Sequence, residues 1–248
     1  MSSIKVIIPA RYGSSRLEGK PLLEINAKPI FWHVFRRCIE SGFSRSDIFL
    51  ATDDKRIFEK AKSLSINAIM TSIQHKSGTD RINEVVELMS WDETTLVLNV
   101  QGDEPLIPAG LIKELIKFSN ETTIFSIYTA ATKISTIEEL NDPNTVKVVV
   151  DEYDQALYFS RASIPFNRDA PYIIEHAHRH IGIYLYRVEA LRKFCSFPES
   201  GLEKTEKLEQ LRALSQGMKI GVKITSSNPT HGIDTWDDYE RTKKIMEG

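Results

Sequence analysis

Residues Val6 to Leu22 read VIIPARYGSSRLEGKPL, a short apolar run that leads into a loop with glycine and cationic side chains. The run from Ile4 to Ile8 predicts a buried strand, which Pro9 would end because proline has no N–H to donate to a sheet. The cations of the loop are Arg11, Arg16 and Lys20. Positive side chains and bare backbone N–H groups just past the carboxyl end of a strand suit a polyphosphate. The stretch therefore predicts a phosphate-binding loop.

Two common nucleotide-binding motifs do not fit this loop. In the P-loop, GxxxxGK[ST], four residues separate the glycines, whereas five separate Gly13 from Gly19, and Pro21 stands where a hydroxyl should bind Mg²⁺. No GxGxxG follows the first strand, so the sequence does not indicate a NAD-binding Rossmann protein. On these residues alone, a glycine-containing surface turn with solvated basic side chains stays open as the alternative.

Composition excludes several classes of partner. The chain has 248 residues and 41% of them are hydrophobic, enough for a sizeable core in one large domain or two small ones. Its 32 basic and 34 acidic residues nearly cancel, so no global field would recruit nucleic acid or an anionic membrane. Apolar runs stay short of the roughly 20 residues that span a bilayer. Two distant cysteines, Cys38 and Cys195, are typical of a reduced cytoplasmic protein.

Helix and strand patterns alternate through the first half of the chain. Strands are predicted at 48–51, 67–70 and 95–100, and an apolar helical stripe at 30–42 ends at Gly42. This alternation predicts parallel β-α-β units with helices on both faces of a sheet.

The second half is less regular. Strand patterns lie at 123–132, 146–150, 156–160, 181–186 and 219–225, and helical patterns at 188–195, at 203–215 and from Thr235 onward, where Asp238 completes a capping box. Because no linker or repeat interrupts the chain, we predict a single domain over residues 1–248. Within it, an antiparallel excursion at about 150–190 could pack against a partner subunit.

Two aspartates follow apolar segments that end near the same predicted sheet edge. Asp103 follows the strand LVLNV, and Asp234 precedes the last helix. Carboxylates at the carboxyl end of an open α/β sheet suit Mg²⁺, which takes hard oxygen ligands and commonly one or two carboxylates beside water and phosphate. A capping or turn role is the alternative for each, and on spacing alone it is the more common role for Asp234.

Longer segments resemble one known family. PARYGSSRLEGKPL (9–22) resembles the first signature of the 3-deoxy-manno-octulosonate (Kdo) cytidylyltransferases, and NVQGDEPLI (99–107) their second. HGIDTWDDYER (231–241) resembles their third, GVDTPEDLER, with Trp236 in place of proline. Further matches are SGTDR (77–81), ALYFSRASIPF (156–166), HIGIY (180–184) and EKLEQLRAL (206–214). The resemblance follows family order and covers nearly the whole chain.

This resemblance implies a fold and an activity. The fold would be α/β, with a mostly parallel, Rossmann-like sheet flanked by helices, of the nucleotide-diphospho-sugar transferase type, and a small antiparallel excursion. The enzyme would join CTP and Kdo into CMP-Kdo and pyrophosphate for lipopolysaccharide biosynthesis, in the cytoplasm and as a homodimer. Lys20, Arg11 and Asp103 would be catalytic, and Asp103 and Asp234 would hold Mg²⁺.

The resemblance also implies two sets of binding residues. The nucleotide would contact Pro9, Ala10, Arg11, Arg16, Lys20, Ser77, Gly78, Arg81 and Gln101. The sugar acid would contact Arg81, Gln101, Arg161, His180, Tyr184, Glu209 and Gln210. Without the resemblance, Arg161 would be an ordinary exposed arginine, and Glu209 with Gln210 a solvated helix face.

Three alternatives stay open. His176, His178 and His180 fall at alternate positions, so in a strand they would share one face and could bind a metal ion. The favoured interpretation is that His180 alone contacts the substrate. The sugar acid could be 8-amino-Kdo or another sialic-type acid, because a carboxylate such as Glu209 accepts from hydroxyl or ammonium alike. A catalytically inactive CTP-binding module is the third.

Overall fold

The computed structural model describes residues 3–13, 17–75, 77–170, 173–230 and 232–248. The chain divides into two compact units. Unit 1 comprises Met1–Lys113, Arg187–Glu189 and Pro229–Gly248, and unit 2 comprises Glu114–Tyr186 and Ala190–Asn228. The single domain stays a prediction, because compactness alone does not say whether a unit folds by itself.

The strands, in chain order, are β1 (Ile4–Pro9), β2 (Glu24–Ile25), β3 (Lys28–Pro29), β4 (Ile48–Thr52), β5 (Asn67–Met70), β6 (Leu96–Asn99), β7 (Ile127–Lys133), β8 (Lys147–Val150), β9 (Ala156–Ser160), β10 (His178–Arg187) and β11 (Ile220–Thr225). The α-helices are α1 (Ile30–Glu40), α2 (Lys55–Ser63), α3 (Gly78–Leu88), α4 (Ala109–Glu121), α5 (Ile137–Asn141), α6 (Val188–Ser196), α7 (Gly201–Glu206), α8 (Gln210–Ser215) and α9 (Trp236–Glu247). Short 3₁₀ helices span Lys20–Leu22 and Arg45–Asp47.

Unit 1 contains parallel strand pairs, as the alternating pattern predicts. Strand β1 pairs with β4 on one side and β6 on the other, and β4 pairs with β5, all in parallel. Val6, Ile7 and Ile8 are fully buried, which is expected of a parallel strand covered by helices on both faces. Parallel strands end at one edge, so the loops that follow β1 and β6 meet there.

The helices of unit 1 begin and end where local chemistry predicts. Helix α1 buries an apolar stripe that includes Phe31, Val34 and Cys38, and Gly42 follows its end with a φ of 104°. Burial raises the pKa of the Cys38 thiol to about 12, in line with a packing role. The predicted capping box of α9 is present: Thr235 and Asp238 each bond the other's backbone N–H.

A small antiparallel hairpin and helix α9 share one apolar cluster. Strands β2 and β3 pair through a two-residue turn at Asn26 and Ala27, whose φ angles are both positive. Ile25 from the hairpin packs with Ile233 and Tyr239 from the C-terminal segment, and the Tyr239 hydroxyl donates to the Glu24 carbonyl at 2.7 Å. This cluster anchors the segment that carries Asp234.

Unit 2 contains the predicted antiparallel excursion. Strand β10 pairs antiparallel with β7 and β8, and β8 pairs antiparallel with β9, while β11 pairs with β7 in parallel. The register between β10 and β7 shifts between Ile181 and Tyr184, which marks a bulge. The predicted fold class is thereby confirmed in its parallel and antiparallel parts.

One predicted helix is wrong, because the structure divides it into two helices. The pattern at 203–215 predicts a single helix, but α7 and α8 are separate because Lys207 lies in the left-handed region with a φ of 53°. The break lets Glu203 accept two hydrogen bonds from the Arg212 guanidinium at 2.6 and 2.9 Å. Nine residues along a continuous helix would span about 13 Å, so the bonds require the break.

Sequence analysis assigned no element to 109–121, which α4 occupies. Among the described helices, none combines the length and apolarity that crossing a bilayer requires.

Candidate active site

A cleft of about 250 Å³ lies in unit 1, where the loops after β1 and β6 meet. Residues that sequence analysis selected make up most of its lining: Pro9, Ala10, Arg11, Lys20, Ser77, Gly78, Arg81, Gln101, Asp103 and Asp234. Pro21, His75 and Gly102 complete the described lining. The remaining predicted nucleotide ligand, Arg16, lies outside the described residues.

Lys20 is fixed by the short helix that it begins. Gly19 precedes that helix with a φ of 68°, and its N–H donates to the Tyr12 carbonyl at 3.0 Å. A Cβ at Gly19 would lie 3.1 Å from the Tyr12 ring, so both the φ angle and the space favour glycine. Lys20 is only 8% exposed, and its side chain is directed into the cleft.

The Lys20 ammonium bonds both candidate metal ligands. Its Nζ donates to Asp103 Oδ2 at 2.5 Å and to Asp234 Oδ1 at 3.2 Å. The cleft thus brings together a cation and two carboxylates from distant parts of the chain. Two carboxylates against one ammonium leave a local net charge of −1 on these three groups.

Backbone contacts hold the two aspartates side by side. The N–H of Ile233 donates to the Asp103 carbonyl at 2.9 Å, which joins the last loop to the loop after β6. Gly102 makes that loop possible, because a Cβ there would lie 2.6 Å from the Pro9 carbonyl oxygen. At Gly232, a Cβ would lie 3.2 Å from Glu104 Cγ and 3.3 Å from the Asp103 carbonyl oxygen, which is also tight.

The donor set of this pair fits a hard divalent cation. The positions of Asp103 and Asp234 around one ammonium show that an oxygen of each can reach a common point. Within the described part of the chain, no group of three or more histidine, cysteine or carboxylate side chains could hold a metal ion. Two carboxylates suit Mg²⁺, which keeps several waters and takes phosphate oxygens from its substrate.

The N-terminus of α3 forms one wall of the cleft. Ser77 caps the helix, since its hydroxyl oxygen accepts from the Asp80 N–H at 3.1 Å, and Gly78 begins it. A Cβ at Gly78 would make only ordinary contacts, 3.6 Å from the Pro9 side chain. The positive end of the helix dipole favours an anion at this wall.

Arg81 reaches the cleft but is engaged within the protein. Its guanidinium donates to Asp53 Oδ2 at 2.7 Å and to the Thr71 hydroxyl, and the residue is 2% exposed. The predicted contact of Arg81 with phosphate or sugar acid would have to compete with these bonds. Its observed role is to tie the first turn of α3 to the turn after β4.

His75 lines the cleft and was not predicted as a site residue. Its Nε2 lies 2.6 Å from Glu84 Oε2, and the same oxygen accepts from the Ser72 N–H at 2.7 Å. Glu84 therefore fixes the segment that leads into α3. The only sequence signal is the position of His75 two residues before SGTDR, and a lone histidine carries no spacing rule.

Arg11 and Gln101 follow the ends of β1 and β6, and both line the cleft. Arg11 is exposed. Among the residues that the structure describes, no hydrogen bond or ion pair to its side chain is found. The Gln101 amide donates to Asn99 Oδ1 at 3.2 Å, and Asn99 is buried at the end of β6. Both side chains therefore face a ligand in the cleft from the strand ends.

A second group of predicted residues meets within unit 2. Tyr184, Glu209 and Gln210 line a small cavity of about 30 Å³, and the His180 ring packs 5.4 Å from the Tyr184 ring. Four of the residues assigned to the sugar acid thus share one place. Arg81 and Gln101, also assigned to it, belong to the cleft of unit 1.

His180 is a neutral hydrogen-bond donor. Burial lowers the pKa of its imidazole to about 3, and the Arg179 charge adds to the shift. The Thr129 hydroxyl donates to the Ile183 carbonyl at 2.8 Å, so it accepts from His180 Nε2 at 2.9 Å. This direction corresponds to the imidazole tautomer with its proton on Nε2.

Tyr184 keeps its proton as well. Burial raises the pKa of its phenol well above the ordinary value, and the nearby Glu209 carboxylate raises it further. A neutral phenol beside a carboxylate offers one donor and one acceptor to hydroxyl groups.

Arg161 does not line the small cavity. Its Nε donates to the Glu206 carbonyl and its Nη1 to the Pro143 carbonyl, each at 2.8 Å. The Arg161 N–H also donates to the Glu206 carboxylate at 2.9 Å. The arginine therefore joins β9 to the end of α7, where the chain turns toward Glu209.

The chain is similar to known proteins over nearly its whole length. Residues 5–220 match the family model described as Cytidylyltransferase. The chain is 43% identical over 249 residues to a 3-deoxy-manno-octulosonate cytidylyltransferase of Thioalkalivibrio sulfidiphilus, covering 98% of this chain and 99% of that one. It is 40% identical over 255 residues to the enzyme of the same name from Haemophilus influenzae, covering 98% of each. A solved structure described as CMP:2-keto-3-deoxy-manno-octonic acid synthetase complexed with CTP has a TM-score of 0.91 and 38% identity, over 99% of both chains.

Proposed function

Because the chain belongs to the 3-deoxy-manno-octulosonate cytidylyltransferase family, we propose that it transfers the cytidylyl group of CTP to Kdo, giving CMP-Kdo and pyrophosphate. The observation that carries the proposal is the convergence of Lys20, Asp103 and Asp234 in one cleft at the strand ends. The product would serve lipopolysaccharide biosynthesis, and a cytoplasmic location stays a prediction.

CTP would bind with its triphosphate in the cleft of unit 1. The N-terminus of α3 at Gly78 and the exposed Arg11 offer positive charge there, and Arg16 would add to it. Pro9, Ala10, Ser77 and Gln101 line the same cleft and would contact the nucleotide through backbone and amide groups. The solved relative complexed with CTP supports this nucleotide.

The reaction exchanges one phosphorus–oxygen bond for another. The anomeric hydroxyl of the sugar acid attacks the α-phosphorus and loses its proton, while the bond to the bridging oxygen breaks and pyrophosphate leaves with its electrons. Charge accumulates on the leaving group, so positioned cations stabilise the transition state more than the ground state. Lys20 is a buried cation of the cleft that bonds both aspartates and would serve the α-phosphate, and Arg11 would serve the leaving group.

Mg²⁺ is the proposed cofactor, with Asp103 and Asp234 as its protein ligands. When bound, the ion would neutralise phosphate charge and orient the triphosphate for attack. Each aspartate is held by backbone contacts that do not involve its carboxylate: the Asp103 carbonyl accepts from Ile233, and the Asp234 N–H donates to Asp238. Both carboxylates are thus positioned before any ligand binds.

The sugar acid would be recognised through the small cavity of unit 2. His180 and Tyr184 are neutral near pH 7, and Glu209 and Gln210 add a carboxylate and an amide. Such a set matches a polyhydroxylated tail, since each hydroxyl both donates and accepts. Arg161 would act by holding the end of α7, and Arg81 by holding α3.

Pyrophosphate release tests this function. The protein would be supplied with Mg²⁺ and CTP, and with Kdo, 8-amino-Kdo or N-acetylneuraminic acid in separate reactions. We expect release with CTP and Kdo, and little with UTP or without acid. Faster release with 8-amino-Kdo would reassign the substrate, and CTP binding without release for any acid would favour a non-catalytic module.

A homodimer is proposed on the resemblance and on one surface feature. Tyr153, Leu157 and Phe166 are 77%, 55% and 75% exposed within the excursion at 150–190. Contiguous exposed apolar surface commonly marks a site where a partner binds. Light scattering should give twice the chain mass, and the Phe166→Glu variant should shift it toward one chain.

A further inference from the structure

Lys20 occupies the place that the proposed function assigns to a divalent cation. Its Nζ lies 2.5 Å from Asp103 and 3.2 Å from Asp234, so the two carboxylates already share one positive charge. The Lys20 side chain is 9% exposed, while the Asp103 and Asp234 side chains are 30% and 47% exposed. The ammonium therefore lies at the buried end of the pair, and the carboxylates open toward solvent.

A divalent ion and this ammonium compete for the same oxygens. Like charges a few ångströms apart repel strongly in a partly buried cleft, so the ion can use both carboxylates fully only when Lys20 moves away. Moving Lys20 without a new partner forfeits two hydrogen bonds between charged groups, which are stronger than hydrogen bonds between neutral groups. Without nucleotide, water alone would complete the shell of the ion.

A triphosphate changes both sides of this competition. It offers Lys20 new anionic partners and offers the ion phosphate oxygens, while Gly78 at the start of α3 and Arg11 hold it in the cleft. Lys20 can follow it, because the ammonium is carried on a flexible four-carbon chain. Coupling of this kind is reciprocal: whatever nucleotide does to metal affinity, metal does to nucleotide affinity.

We propose that Lys20 is an internal counter-cation, which keeps the Asp103–Asp234 pair closed to divalent ions until a triphosphate draws it away. This inference rests on the proposed function, since that function assigns the nucleotide and the ion to the cleft. Lys20 thus has a positioning role in the empty cleft besides its role in transfer. The protein would take up metal and nucleotide together rather than hold a resident ion.

Binding of Mn²⁺ alone tests the proposal. The metal would be titrated into full-length protein without nucleotide or sugar acid, and free Mn²⁺ followed by electron paramagnetic resonance. We expect Lys20→Met to bind Mn²⁺ about ten- to a hundredfold more tightly than wild type, from the hydrogen bonds that the ion no longer displaces. Arg11→Met removes a cation from the same cleft that bonds neither carboxylate, and should gain less than about threefold.

Two further variants test whether Asp103 binds the metal and whether the positive charge at residue 20 weakens that binding. Adding Asp103→Asn to Lys20→Met should return the affinity to the wild-type value or below. Lys20→Arg keeps the charge and should keep Mn²⁺ binding weak. Equal Mn²⁺ affinity in wild type and Lys20→Met overturns the proposal, and so does a gain that survives Asp103→Asn or that Arg11→Met reproduces.

Folding and function are controlled separately. If Lys20→Met does not fold by circular dichroism, Lys20→Gln retains an N–H donor without charge, and the same gain is expected of it. The binding test involves no turnover, so a protein that releases pyrophosphate from CTP and Kdo without the Lys20-dependent gain loses only this inference. A protein that shows the gain but does not release pyrophosphate loses only the proposed reaction.

Discussion

Arg81 and Asp53 form an ion pair of 2.7 Å whose side chains are 3% and 12% exposed. The pair joins the first turn of α3 to the turn after β4, and the Thr71 hydroxyl accepts from the same guanidinium. Because α3 begins at the cleft wall, the pair fixes the position of that wall. Removal of either partner would leave the other charge buried without compensation.

We therefore predict that Asp53→Asn lowers the free energy of unfolding by about 3 kcal/mol, as breaking a buried ion pair does. Urea denaturation would measure it. Lys60→Met is the matched control, since Lys60 pairs with Glu24 on the surface at 2.8 Å and should cost about 1 kcal/mol or less. Unchanged stability together with a raised KM for CTP would mean that Arg81 serves the ligand rather than the fold.

Asp103→Asn should lower kcat by orders of magnitude and leave the fold intact, because a carboxamide is a poor ligand for Mg²⁺. Pyrophosphate release at limiting magnesium would measure it. Asp169→Asn, at a side chain that is 91% exposed in unit 2, should leave kcat unchanged. Near-normal turnover of Asp103→Asn at limiting magnesium would show that the metal assignment is wrong.

His180 should make the protein less stable in acid. Its pKa is about 3 in the folded protein and about 6.5 when unfolded, so between these values the unfolded state binds one more proton. Stability from this group is fully present above about pH 6.5 and falls as pH drops toward 3, by up to about 1.4 kcal/mol per pH unit.

The measurement compares unfolding free energies of wild type and His180→Gln from pH 7 to pH 4. The variant should lose less stability over this range than wild type does. The exposed His176 provides the control, and His176→Gln should follow the wild-type curve. A wild-type slope in His180→Gln would place the acid-sensitive group elsewhere.

Gly102→Ala should destabilise unit 1 and suppress activity together. The added Cβ would lie 2.6 Å from the Pro9 carbonyl oxygen, a backbone atom that cannot move without displacing the loop after β1. Gly110→Ala is the control: its Cβ meets nothing within 4 Å, and in helix α4 it should stabilise by about 0.5 to 1 kcal/mol. Thermal unfolding and pyrophosphate release would be measured on the same samples. Loss of activity in Gly102→Ala without loss of stability would contradict the prediction.

Local chemistry explains which parts of the fold could be predicted. The apolar stripe of α1 and the capping box at Thr235 and Asp238 depend on residues a few positions apart, and both are confirmed. The left-handed Lys207 was missed because its neighbours continue a helical pattern on both sides. Its strain is offset by the Glu203–Arg212 pair, which no local pattern reports.

In the candidate site too, local motifs could be predicted from the sequence, whereas long-range contacts could not. Motifs selected Lys20, Asp103 and Asp234 one by one, but the bonds between them depend on long-range placement that no motif encodes. Arg81 was selected as a ligand and found in a buried ion pair, since a sequence does not reveal which carboxylate an arginine meets. His75 was missed because its partner Glu84 lies on the next helix, outside any recognised spacing.

The hydrogen bond from Ile233 to Asp103 has a consequence for how the protein is made. Unit 1 takes its last segment, Pro229–Gly248, only after all of unit 2 has been translated. A nascent or prematurely terminated polypeptide therefore carries the basic loop and one acid but lacks the other. Such fragments could not form the paired carboxylates, so the proposed metal site would be complete only in finished chains.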